Sequence, residues 1–565
     1  SNHSQNIVQK INNLTEKEIA QLENQSQFVF DAKLGENFKI ENILFILENK
    51  EVSLCNKSIH LLKTIFENEK IKKIGHNLKP QIIALAKHCI VLKGIAFDTQ
   101  IAAYLLTPGQ SSYDLKSLAF SNLSDTFSYL GPFLILRLKK ILEKKLKEKN
   151  LIHLFTNVEM SLISILAAME RQGIGVDKDL LTKISLDLGN KLLQLSQNIY
   201  EIAGEEFNLN SPLQIRKILF DKLKLPIIKR TKSGPSANED VLEKLSSQHS
   251  LPGAILEYRG LFKLKSTYVN TLSLLINKET NRIHSSFNQT STSTGRLSSS
   301  NPNLQNIPIK TEIGREIRKV FVSKYLFLSF DYSQIELRIL AHLSGDENLI
   351  EAFKKDLDIH NYTASLIFNL PPKKIDVEKR RIAKTVNFGI IYGMGQHRLS
   401  QDLKINHKQA EEFINAYFER YPAVRAYIEK QKREAEQKGY VTTILGRRRY
   451  VHQINSKEHN VRGFGERIAV NMPVQGSAAD LIKMAMIDVS QEIKKQRLRA
   501  KLILQVHDEL LFELPKEELF IKAMIKERME NVMQLKVPLK VNVKLGRSWG
   551  DMKLLCKKEF VGGCL

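Results

Sequence analysis

Two fold classes are predicted along one chain of 565 residues: an α/β region first, then a larger, mainly helical region interrupted by strands. Three observations carry this. Short apolar runs alternate with helical patterns from about 26 to 107. Long amphipathic helices dominate from about 155 onward. Apolar strand runs then break the helices at 326–330 and 501–514. At about 150 residues per domain, the length suggests three or four domains.

The elements follow in order. Residues 27–30 and 43–47 read as strands, and 59–67 and 81–87 as helices. The lysine-rich stretch 136–150 reads as a solvated helix face. Residues 157–173 read as a helix stopped by Gly-Ile-Gly-Val, which leads into a short strand. The segment 229–236 (KRTKSGPS) reads as a basic, mobile loop. The polar run 288–306 has the composition of a linker, but its amides and hydroxyls around Arg296 could equally form a hydrogen-bonding surface.

Lys plus Arg number 85 against 61 Asp plus Glu, a formal charge of +24, so the expected large-scale partner is a polyanion. No window approaches 18 consecutive apolar residues, which argues against a membrane-spanning helix. Cys55, Cys89, Cys556 and Cys564 form no Cys-x-x-Cys pair, so neither a zinc ribbon nor a disulfide framework is encoded, and a reducing compartment is expected. The chain starts Ser1-Asn2 and is expected to be a fragment of something longer.

Three constellations carry chemistry. In YLFLSFDYSQIELR, 325–338, an apolar strand delivers Asp331 at its end, and Glu336 follows five residues on. Such a carboxylate is placed to hold a hard cation, or equally to cap the helix that follows. In KLILQVHDELLFEL, 501–514, His507, Asp508 and Glu509 fall at a hairpin turn, where carboxylates are commonly just solvated. Brought together, Asp331 and Asp508 would repel one another unless cations intervened. Two Mg²⁺ about 4 Å apart are what serve displacement at phosphorus. In RRIAKTVNFGIIYGMG, 380–395, Arg380, Lys384, Phe388 and Tyr392 share one helical stripe. Two cations leading into two rings suit a nucleotide, although an amphipathic helix with core aromatics shows the same pattern. The GRRRY run at 446–450, Arg462, and Arg467, Asn471 and Gln475 stepping by four suit groove and sugar-edge contacts, or a helix surface.

Taken together, these segments resemble the family A DNA polymerases, the family of the bacterial DNA polymerase I large fragment. TGRLSSSNPNLQNIP (294–308), DYSQIELR (331–338), RRIAKTVNFGIIYG (380–393), NMPVQGSAADLIK (471–483) and QVHDELLFEL (505–514) stand in the family's order and spacing. The resemblance is close over roughly 155–550 and looser over the first 150 residues. It implies an α/β RNase H-like domain at 1–150, a degenerate 3′–5′ exonuclease. An α+β right-hand polymerase domain at 151–565 would follow, with thumb about 180–275, palm about 276–345 and 460–565, and fingers about 346–459.

The resemblance also implies roles. Asp331 and Asp508 would hold two Mg²⁺, with Mn²⁺ able to substitute, and Glu509 would support them. Arg380, Lys384 and His360 would clamp the incoming triphosphate, with Lys384 protonating pyrophosphate. Phe388 would pack on the sugar and discriminate against dideoxynucleotides, Tyr392 would close on the templating position, and Gln334 would help hold the nucleotide. Glu336 would be the steric gate against a ribose 2′-hydroxyl. Arg296, Asn303, Asn306, Arg467, Asn471, Gln475 and His507 would contact primer and template. The partners would be primer–template DNA and dNTPs, with no membrane. The protein would be a monomer in the bacterial cytoplasm at the nucleoid, or in an organelle of bacterial descent. The tail 554–565 runs past the usual family end at Trp549.

The first domain departs from the proofreading pattern. FVFDAKLG keeps Asp31 but has Lys33 where Glu is expected. GHNLKPQ has Gln81 where Asp is expected, and the stretch 129–137 holds no acid. A lone Asp31 beside a Lys cannot build a dinuclear site, so proofreading is expected to be absent and Asp98 to be structural. Two rivals stay open: a catalytically silent DNA-binding scaffold, and a polymerase of the same chemistry that copies RNA.

Overall fold

The structure, a computed structural model, describes residues 8–123, 131–232, 234–309 and 311–555. The N-terminal region is built on a six-stranded sheet. Its strands are β1 (Gln9–Ile11), β2 (Gln27–Leu34), β3 (Ile40–Leu47), β4 (Lys50–Cys55), β5 (Lys72–Gly75) and β6 (Ile95–Asp98), in the order β1-β4-β3-β2-β5-β6. The meander β2-β3-β4 is antiparallel, whereas β1 pairs with β4, β2 with β5, and β5 with β6 in parallel. The expected strands at 27–30 and 43–47 are the centres of β2 and β3. The expected helix at 59–67 is a 3₁₀ segment, Asn56–Leu62, continued by one α-turn, Lys63–Glu67.

The helix Pro132–Glu148 lies across this sheet. Leu134, Leu138, Leu142 and Leu146 recur on its buried stripe, while Lys139 and Lys147 flank Glu143 on the wet face as i,i+4 pairs. One hydrophobic core runs from this region into the rest of the chain, so the expected division at residue 150 falls inside it. Phe97 and Phe155 meet there with ring centroids 4.8 Å apart. The stretch Ile152–Gln172 is long and apolar enough to cross a membrane by length and composition, but 56% of its 18-residue apolar window is buried inside the fold. It is a core helix.

Residues 178–275 form a helical lobe with its own small core around Ile199, Leu219, Val241 and Ile255. Its long helix, Lys178–Ala203, starts where the Asp177 carboxylate accepts from Leu180 N at 2.9 Å and stops at the left-handed Gly204. In the expected basic loop at 229–236, Arg230–Thr231 pairs with Gly234–Pro235 as a small hairpin.

A second, all-antiparallel sheet has the strand order Lys501–Val506, Glu509–Leu514, Val322–Tyr332, Val541–Ser548, Lys553–Leu554. The 37-residue helix His459–Lys495 and the helix Ile335–Ser344 pack together in this part of the molecule. Between them in sequence, Glu347 to Lys438 is helical throughout its regular elements, including Val377–Ile391. The polar run 288–306 is no linker. Ser286–Asn288 pairs with Ser298–Ser300, and the hydroxyls of Ser285 and Ser299 bond one another at 2.7 Å while buried.

Candidate active site

The register of the second sheet puts Asp331 opposite Glu509 on one side and Asn542 on the other. Tyr332 N donates to the Asp508 carbonyl at 3.1 Å, so the turn of the hairpin, with His507 at φ 52°, is tied to the end of the central strand. Burial pushes Asp331 up to about 6, with the charge of Glu509 adding and Lys544 opposing. Burial also pushes Asp508 up to about 7; Glu336 and Asp331 add to the shift and Arg296 opposes it. Glu509 turns its carboxylate to Ser329 Oγ at 2.5 Å and Trp549 Nε1 at 3.3 Å. Burial and mutual repulsion thus disfavour the charged forms of the half-buried Asp331 and Asp508, a cost that a divalent cation would relieve. Among the described residues, no group of three or more His, Cys, Asp or Glu stands ready as a metal cage, so water and substrate oxygens would complete any coordination shell.

The helix Val377–Ile391 presents the cation–aromatic stripe. Asp376 caps it, accepting from Lys379 N at 2.7 Å. Arg380 is held by Asp358 at 2.8 Å, and Lys384 is exposed. His360 is buried at 4% exposure, with Nδ1 3.1 Å from the Asn387 amide and its ring 5.7 Å from Phe388. Burial lowers its pKa to about 4, against the pull of Asp358 and with Arg380 and Lys384 adding, so it is a neutral imidazole.

Tyr392, at the helix end, donates to Glu336 Oε2 at 3.1 Å, and Arg296 Nη2 bonds Glu336 Oε1 at 2.6 Å. Burial and the Glu336 carboxylate raise the Tyr392 phenol to about 12. Glu336, Arg296 and Tyr392, assigned separate roles in the sequence, here form one bonded trio.

Arg296, Asn303, Asn306, His507 and Asp508 line a single cleft of about 280 Å³. Asn303 shapes one wall by accepting from Gln305 N at 3.0 Å, and Tyr268 holds the Asn306 carbonyl at 2.6 Å. Gln334, in the left-handed region at φ 53°, starts the helix that carries Glu336. Arg467, Asn471 and Gln475 lie outside that cleft. They step along His459–Lys495, and Arg467 packs on Gly393 in a neighbouring cleft.

In the N-terminal region, Asp31 is paired with Lys33 at 2.7 Å, and burial raises its pKa with Lys33 opposing. Gln81 donates to the His76 carbonyl at 2.7 Å and accepts from Ala32 N at 2.9 Å. Together they line a cleft of about 340 Å³. Asp98 is fully enclosed and accepts from the backbone N–H of Asn77, Leu78, Gln100 and Ile101, a structural role. Of the stretch 129–137, residues 129 and 130 lie outside the described residues, and the remainder opens the helix Pro132–Glu148.

The sequence gives no warning of a buried charge cluster, Glu159, Arg447, Asp480 and Lys483, each at most 2% exposed. Arg447 sits in the GRRRY run, where three adjacent cations read as surface. Only its acidic partners, 33 and 288 residues distant, reveal the burial.

Comparison with known proteins gives a consistent result. The model of DNA polymerase family A matches residues 178–551, and that of the DNA polymerase I ribonuclease H-like domain matches residues 38–126. DNA polymerase I of Bacillus subtilis is 44% identical over 562 residues, covering 94% of this chain and 64% of that protein. DNA polymerase I of Geobacillus stearothermophilus is 45% identical over 86% of this chain and 59% of its own length. The chain therefore spans less than two thirds of these relatives. Among solved structures, the POL domain of Pol1 from M. smegmatis, in complex with DNA primer-template and dNTP, superimposes with a TM-score of 0.90 at 35% identity. That match covers 95% of this chain and 99% of the other.

Proposed function

The chain belongs to DNA polymerase family A, and from that premise we propose that it is a template-directed DNA polymerase that joins dNTPs to a primer 3′-hydroxyl and releases pyrophosphate. The observation that carries the reading is the convergence of Asp331 and Asp508 at one strand end, beside the cleft that Arg296, Asn303, Asn306 and His507 share. Asp331 and Asp508 would hold two Mg²⁺ or Mn²⁺. Bound there, the ions would supply Lewis acidity for ionising the 3′-hydroxyl and would offset charge on the departing pyrophosphate.

The remaining work falls to side chains. Arg380 exchanges Asp358 for triphosphate oxygens, and the exposed Lys384 joins it and offers an Nζ proton to pyrophosphate. His360 contributes a hydrogen bond to the triphosphate. Phe388 packs on the sugar. Gln334 helps hold the nucleotide. Glu336 stands where a 2′-hydroxyl would need room, with Glu509 supporting the acid pair from behind. Arg296 leaves Glu336 to reach minor-groove acceptors that are common to correct base pairs, with Arg467, Asn471, Gln475 and His507 along the duplex. Tyr392 closes on the templating position as the helix Val377–Ile391 moves in.

Proofreading is proposed to be absent, because the partners of Asp31 are Lys33 and Gln81 rather than carboxylates. The setting that goes with this reading is a monomer at the nucleoid in a bacterial cytoplasm. The test is extension of an end-labelled primer on DNA and RNA templates, with a mismatched primer incubated without dNTPs beside it. Extension on DNA with the mismatched primer unshortened is expected. No extension would refute the polymerase, and a shortened primer would refute the loss of proofreading.

A further inference from the structure

The loop that carries Arg296 hangs from the buried charge cluster. Arg447 Nε donates to Asp480 Oδ1 at 2.8 Å, and its Nη2 bonds Glu159 Oε1. Lys483 Nζ meets the same Glu159 oxygen at 2.7 Å. Two carboxylates and two cations therefore balance inside the fold, and burial acting against the charges of Lys483 and Arg447 still leaves Glu159 lowered to about 2.

Two contacts fasten the loop to this cluster and a third fastens it to the N-terminal region. Gln289 Nε2 donates to Glu159 Oε2 at 2.7 Å. Tyr104 Oη, from the N-terminal region, donates to the Thr292 carbonyl at 2.8 Å. Gly295, at φ +89°, lies flat on Arg447: a Cβ there would stand 2.5 Å from Arg447 Nε. Thr292 Oγ1 then bonds the Arg296 carbonyl at 2.7 Å, which closes the loop on Arg296 itself.

We propose that Tyr104 and Arg447 are positioning residues for Arg296, so that the N-terminal domain, proposed above to lack proofreading, still sets the geometry at the primer terminus. This deepens the polymerase reading and rests on it. Rigid placement of a guanidinium against a duplex edge is where a displacement of about 1 Å can cost on the order of a hundredfold in rate. A cluster serving stability alone would have no need of Tyr104 on the loop, or of a glycine pressed to the guanidinium.

The test is a double-mutant cycle read by single-nucleotide incorporation on matched and mismatched primer ends. Tyr104→Phe removes one hydroxyl and keeps the ring. It is expected to lower kcat on matched ends about fivefold, to move the dNTP KM less than about twofold, and to narrow the matched-to-mismatched ratio. In an Arg296→Ala background the same change is expected to do nothing further, because its effect passes through Arg296. Arg447→Lys keeps the charge but not both bonds and is expected to follow the same pattern. Equal losses with and without Arg296, or no kinetic change in Tyr104→Phe, overturn the inference alone. A parent that extends no primer overturns the polymerase reading and this inference with it.

Discussion

Lys73 is fully buried on β5, its ammonium bonded to the Asn68 carbonyl, and burial, with Lys72 adding, pushes its pKa down to about 8. Unfolded, it titrates near 10.5. Between those values the unfolded chain holds a proton that the folded chain has lost, so stability from this group rises with pH across that window and is lowest below pH 8. Lys73→Met is predicted to abolish the rise. The stability difference between variant and parent should shift by about 1.4 kcal/mol per pH unit between 8 and 10.5, read by denaturant unfolding. Pattern reading cannot see such a residue. Lys70, Lys72 and Lys73 look alike in sequence, and only the folded β5, exposed at Lys72 and buried from Lys73 onward, separates them. The proposed catalytic acids stand out better: Asp331 ends an apolar strand and Asp508 sits in the turn between two others, so the pair can be picked out once the two segments are read together. Glu336→Ala, opening the space proposed to exclude a 2′-hydroxyl, should raise ribonucleotide use relative to dNTPs by about tenfold or more in competitive incorporation.

The helix Val377–Ile391 shows what periodicity delivers at the scale of an element. Four-residue spacing places Arg380, Lys384 and Phe388 on one stripe, with Tyr392 just past the end. It cannot show that Arg380 is parked on Asp358, or that Tyr392 is tied to Glu336, since those partners arrive from other elements. Phe388 has no group to stand in for a missing 3′-hydroxyl, whereas a tyrosine there would. Phe388→Tyr should therefore raise dideoxynucleotide incorporation relative to dNTPs by about tenfold or more, read as chain termination at fixed nucleotide ratios. The run 288–306 misleads in the other direction. Its polarity resembles a linker because the serines and amides satisfy one another inside the fold, a pairing that composition cannot register.

Across the whole molecule, the charge of +24 calls for a sequence-independent grip on phosphates. Affinity for primer–template should fall on the order of a thousandfold between 50 and 200 mM salt, with little dependence on sequence, in an anisotropy titration. At the same scale, the N-terminal region is tied structurally to the rest of the chain. It shares one core with the rest, and Lys79 reaches across to Glu170 and the Phe287 carbonyl. The central claim, nucleotidyl transfer at Asp331 and Asp508, is tested most directly by single-nucleotide incorporation on a matched DNA primer–template with Mg²⁺, parent beside Asp508→Ala. Unfolding transitions of both proteins would be recorded alongside. The parent is predicted to add the templated nucleotide and release pyrophosphate, and the folded variant to be slower by about a thousandfold or more. A folded Asp508→Ala that incorporates at the parent's rate would contradict the account.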